Sequence, residues 1–189
     1  MKQVIKLIAK LIFTYAFCGG LYLLIELIWR RRSDLSMFLL SGFLGWFPMF
    51  FNNIFSYNID YIIQVLSISI IVTFFEGLFG NIYNMNYTIW DYRNLPLSFW
   101  NDQINLIFFL FWIIIVAIII PILDYIDWKL FDYKPDTPPY YKVFGKIIYQ
   151  FKWDYRDSWC FIHCPYFLQF IFIFYYLVFG FIYKHLIPI

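Results

Sequence analysis

The chain has 189 residues, of which 63% are hydrophobic and 14% charged, with a formal net charge of +2. Soluble globular domains run near half apolar and a quarter charged, so this composition excludes an ordinary water-soluble fold. Lysines and arginines gather at the ends of apolar runs instead of forming one stripe, which argues against nucleic acid and for membrane lipids as the charged partner.

The first apolar run, residues 5–29, follows Lys2, Lys6 and Lys10 in the manner of a signal peptide. No small-residue cleavage site follows, so a retained membrane helix is predicted, stopped by Arg30-Arg31-Arg32 because that cluster is costly in hydrocarbon. A second run, 37–55, contains Pro48 and is predicted to kink there. The third, 59–83, carries Gln64 and Glu76 and ends at Asn84-Met85-Asn86.

Between this run and the fourth lies Trp90-Asp91-Tyr92-Arg93-Asn94-Leu95-Pro96-Leu97, whose aromatics and proline suit an interfacial or re-entrant loop. The fourth run, 104–126, is the most apolar. Past Asp127 the chain turns polar through Lys134-Pro135-Asp136-Thr137-Pro138-Pro139. In 140–152, Val143, Ile147 and Phe151 recur every four residues, which predicts a short surface helix. A fifth crossing is read over 166–187.

The predicted fold is therefore all-α: a polytopic membrane helical bundle of about five transmembrane helices with an aromatic interfacial loop and a short surface helix. Residues 1–140 form a helical membrane domain of four crossings, and 141–189 add the surface helix and the fifth. Basic residues near the helix ends favour a cytoplasmic N-terminus in a multi-pass protein of the cell membrane, against the vote of the arginine triplet. Trp90-Asp91-Tyr92-Arg93 recurs as Trp153-Asp154-Tyr155-Arg156, either because interfaces favour those residue types or because a helical hairpin was duplicated.

Glu76 is the leading candidate for chemistry. It lies well inside its run, where a carboxylate costs a few kcal/mol unless it is paired or faces water. Two readings stand: a ligand-binding or proton-relaying acid, or a packing hydrogen bond between helices. Gly77 and Gly80 beside it would let another helix approach closely. Glu26 and Arg30 share a helix face, which predicts an ion pair. Asp91 can accept from Arg93 or from backbone amides to fix the loop, which is the favoured reading, or can face a ligand's cationic group.

Cys160, His163 and Cys164 supply three soft ligands where zinc needs four, so no metal and no cofactor are expected. No phosphate-cradling loop, serine elbow or metalloprotease motif appears, and an enzymatic reading ranks last.

Gly19-Gly20-Leu21-Tyr22, Glu26-Leu27-Ile28-Trp29-Arg30, Arg32-Ser33, Ser36-Met37-Phe38-Leu39-Leu40, Glu76, Gly80, Trp90-Asp91-Tyr92, Asn94, Pro96 and Trp112 occur in that order. Together they resemble the bacterial ABC-transporter type IV family and the vertebrate transmembrane-protein 229 proteins, over about residues 15–140. The chain departs from that pattern at Asn101 and Arg31, where glycine is usual, and at Asp34-Leu35, where a His-Trp pair is usual. The resemblance implies a small permease-like membrane subunit.

The residues themselves point to a permease-like or ligand- or lipid-binding subunit, with Glu26, Glu76, Trp90, Asp91, Tyr92 and Arg93 around the ligand. Transport would need an energy source, a separate ATPase subunit or an ion gradient, and an oligomer is compatible. The alternative is a non-transporting membrane scaffold or assembly protein.

Overall fold

The computed structural model describes residues 2–131 and 136–152. Its elements in chain order are α1 (Lys2–Arg30), α2 (Leu35–Leu44), α3 (Trp46–Ile54), α4 (Tyr61–Tyr83), β1 (Ser98–Phe99), β2 (Ile104–Asn105), α5 (Leu106–Leu130), β3 (Tyr140–Val143) and β4 (Lys146–Gln150). Four helical segments are long and apolar enough to cross a membrane: α1, α2 with α3, α4, and α5. At 1.5 Å per residue, even the shortest rises about 30 Å, the thickness of a hydrocarbon core. The architecture is that of a helical membrane protein. The predicted fifth crossing, the Trp153 repeat and the Cys160–Cys164 cluster lie outside the described residues.

Helix faces follow from side-chain spacing. On α4, Gln64, Val65, Ile68, Ser69, Val72, Thr73, Glu76, Gly77 and Gly80 are buried, a stripe of period near 3.6. The opposite face exposes Ile63, Ile70 and Phe74. On α5, Leu110, Ile114 and Ile118 face outward while Trp112, Val116, Ile120 and Leu123 turn into the bundle. Outward isoleucine and leucine cost nothing in lipid, so the inner face is marked by small and polar residues as much as by apolar ones.

Both helix-internal prolines have their backbone consequences met. The ring of Pro48 would clash with the carbonyl four residues earlier, that of Leu44, and α2 ends at Leu44 with α3 beginning beyond Gly45. A Cβ on Gly45 would come within 2.5 Å of Cys18 Cβ on α1, so the break is also where α2 and α3 lean on α1. Pro121 frees the carbonyl of Ala117 within α5, and the hydroxyl of Tyr61 donates to that carbonyl.

The segment 140–150 is a hairpin, which corrects the predicted surface helix. Phe144 and Gly145 both have positive φ, 50° and 76°, in a two-residue turn between antiparallel β3 and β4. Glycine in mid-segment opposes a helix, and the flanking Tyr, Val and Ile residues favour strands, so the fourfold recurrence of apolar residues there is incidental. Asp60 Oδ2 accepts from the Phe144 N–H at 2.6 Å, and Asn58 Oδ1 from Lys142 Nζ at 2.6 Å. These bonds fix the hairpin beside the α3–α4 turn. That is also the end of the bundle near which Lys10 of α1 and Asp127 of α5 meet.

Candidate functional site

The loop from Asn84 to Asn105 is a folded unit built on buried amides. Asn84 Nδ2 donates to the Trp90 carbonyl at 2.7 Å and to Gln103 Oε1 at 3.0 Å, while Asn84 Oδ1 accepts from the Ile89 N–H at 2.9 Å. Gln103 Nε2 donates back to the Asn84 carbonyl at 3.2 Å, and the Trp90 indole donates to the Gln103 carbonyl at 3.1 Å. Asn105 caps α5 through the Ile107 N–H and donates to the Pro96 carbonyl.

This loop packs on the glycines of α4. A Cβ on Gly77 would lie 2.5 Å from Trp100 and Ile104, and one on Gly80 2.5 Å from Gln103 Oε1. The close approach expected of a second helix at these glycines is made by the loop instead. The result is that Trp90 and Tyr92 are held over Glu76.

Glu76 is 3% exposed. It lies seven residues before the end of α4, about 10 Å below the helix terminus at 1.5 Å per residue. Tyr92 Oη donates to Oε1 at 3.1 Å, and Trp112 Nε1 on α5 donates to Oε2 at 2.7 Å. Burial, with the nearby Glu76 charge, pushes the Tyr92 phenol well above its ordinary range, so it stays a donor at every accessible pH. No lysine or arginine among the described residues bonds to Glu76.

Nearer the surface, Glu26 accepts from Arg30 and from the Ser33 hydroxyl, and Arg30 Nη1 also donates to the Ile89 carbonyl at 2.7 Å. The predicted ion pair is therefore present and ties α1 to the loop.

Between these groups lies a cavity of about 370 Å³, within the range of about 300–1,000 Å³ common to small-molecule sites. Its lining includes Glu26, Glu76, Trp90, Asp91 and Tyr92, five of the six residues singled out from the sequence. Tyr22 and Trp112 stack at 5.4 Å and 15° on one side, and Tyr92 stacks on Phe108 at 4.7 Å on another. A smaller apolar cavity of about 60 Å³ shares Tyr22, Ile25, Trp112 and Ile115 with it and reaches toward Cys18 and Pro48.

Arg93 stands outside this lining. Its guanidinium binds both Asp91 oxygens, with Nε at 2.9 Å and Nη2 at 2.7 Å, and its own backbone N–H donates to Asp91 at 3.0 Å. These bonds hold the Asp91 carboxyl down at about 2. The pair is exposed and shapes the loop.

A second polar group, which the sequence reading missed, lies at the opposite end of the bundle. Lys10 Nζ meets Asp127 Oδ2 at 2.6 Å with both side chains buried. Asp124 accepts from Asn52 Nδ2 and from the Tyr141 hydroxyl, each at 2.8 Å. The available signal was Asp124, a carboxylate inside an apolar run by the same reasoning as Glu76. Among the described residues no group of three or more His, Cys, Asp or Glu side chains is placed to hold a metal ion.

Comparison of the chain with family models, with curated proteins and with solved structures gave no match.

Proposed function

We propose that this chain is a small permease-like or ligand-binding subunit of the cell membrane, with its N-terminus in the cytoplasm and its ligand in the cavity above Glu76. One observation carries the reading. A buried carboxylate, held only by two neutral donors, forms the floor of an aromatic cavity of small-molecule size near the helix ends. At Asp127 the same protein meets the cost of a buried carboxylate with a buried lysine. Asp124, like Glu76, is held by two neutral donors, but it shares the charge of that same lysine. Glu76 borders a cavity and has no such cation bonded to it among the described residues, which suits a group supplied by a ligand.

The resemblance to the ABC-transporter type IV family supports the permease-like form of this reading. The two positions where that pattern has glycine, occupied here by Arg31 and Asn101, have φ of 55° and 56°. Glycine adopts that backbone without steric cost, which gives a physical reason for the pattern. A permease of this size would depend on a separate ATPase or other membrane subunit, or on an ion gradient, for energy.

The test is native mass spectrometry of the protein released from mild detergent, with Ile25→Trp as the cavity-filled control. A bound small molecule or lipid on wild type that is absent from Ile25→Trp is the expected result. Equal occupancy of the two proteins, or none on either, would defeat the proposal and favour a non-transporting scaffold.

A further inference from the structure

Charges around the cavity can be paired off residue by residue. The lining carries Glu26, Glu76 and Asp91 against Arg30 and Arg32. Glu26 takes Arg30, and Asp91 takes Arg93 from outside the lining. Arg32 is exposed. This leaves Glu76, at the enclosed end, as the one lining carboxylate whose bonds come only from neutral groups, the Tyr92 phenol and the Trp112 indole.

The walls beside it are aromatic. Tyr22, Trp90, Tyr92, Phe108 and Trp112 all line the cavity, and aromatic faces attract cations through the negative charge of their π systems. A cationic ligand would supply the counter-charge that holds the Glu76 carboxylate ionised in a low-dielectric site, whereas an anionic ligand would be repelled by it and a purely apolar one would supply nothing. A compact cation on a lipophilic body satisfies both features, and the adjoining apolar cavity extends the space for its uncharged part.

We infer that the ligand of this cavity is a lipophilic organic cation, an ammonium-type group set against the Glu76 carboxylate and enclosed by the surrounding aromatic side chains. This rests on the cavity being a ligand site and adds the chemical class.

The experiment compares benzyltrimethylammonium with neopentylbenzene, its uncharged isostere, as ligands of the full-length protein in lipid nanodiscs, read by intrinsic tryptophan fluorescence. Wild type is expected to prefer the cation by at least about tenfold. Glu76→Gln should abolish the preference while keeping affinity for the neutral compound, Glu76→Asp should retain it, and Ile25→Trp should lose both ligands.

Equal binding of the two compounds by wild type, or an undiminished preference in folded Glu76→Gln, would overturn the inference. Binding of the neutral compound alone would overturn it while leaving the ligand cavity standing. Failure of wild type to bind either would count against both. Should Glu76→Gln not fold, the wild-type preference and its retention in Glu76→Asp decide the matter.

Discussion

Asn84→Ala isolates the part of the structure that turns an aromatic loop into a cavity wall. The side chain is fully buried and makes three hydrogen bonds, to the Trp90 carbonyl, Gln103 Oε1 and the Ile89 N–H. Each buried partner left unsatisfied costs about 1–3 kcal/mol. Water at the interface can serve some of them, so a loss of about 2–4 kcal/mol is expected, confined to the loop.

Hydrogen exchange by mass spectrometry reads this directly. Amides of residues 87–105 should exchange about 30- to 700-fold faster, since about 1.4 kcal/mol is a factor of ten, while α4 and α5 keep their protection. Unchanged loop exchange would mean that the amide network does not hold the loop. A uniform rise across the helices would mean that loop and bundle are one cooperative unit, and would refute the local reasoning.

Three further perturbations separate the remaining interactions. Arg31→Gly relieves a φ of 55° and should stabilise the α1–α2 connection by about 0.5–1 kcal/mol, read as a higher unfolding temperature in detergent. Lys10→Met leaves the Asp127 carboxylate without its counter-charge and should cost about 3–5 kcal/mol, whereas Lys10→Met with Asp127→Leu should recover most of it. Asp91, followed by carbon-detected NMR, should titrate at about 2 and move up toward the usual aspartate value in Arg93→Met. Because the folded-state value is depressed, the ion pair's contribution is present above about pH 4 and disappears as pH falls through about 2.

The four helical segments long and apolar enough to cross a membrane were legible because each is a run of about twenty apolar residues bounded by groups that hydrocarbon excludes, such as Arg30-Arg31-Arg32 or Asn84-Met85-Asn86. The break at Gly45 was legible through Pro48, displaced by the geometry of its clash with Leu44. Over 140–150 the recurrence of apolar residues at every fourth position suggests a helix, but Gly145 and the β-branched neighbours favour strands, and a two-residue turn needs little sequence to specify it.

At the site, Glu76 and the Trp90-Asp91-Tyr92 loop stood out as costly or unusual groups. Asn84 and Gln103 did not, because an amide near a helix end has many ordinary uses and only the fold shows what it joins. Lys10 and Asp127 were hidden for a related reason. Each sits near an end of its helix, where a charge is ordinary, and their pairing depends on α1 and α5 meeting.

The measurement that tests the account most directly is the indole N–H resonance of Trp112, assigned through Trp112→Phe in protein carrying nitrogen-15 tryptophan. Bonded to Glu76 Oε2 at 2.7 Å and shielded in the bundle, this proton should be protected from exchange, shift in Glu76→Gln and respond when the cavity is occupied. A Trp112 signal that exchanges freely and ignores both the substitution and added benzyltrimethylammonium would contradict the claim that helices and loop converge on Glu76 to form a ligand site.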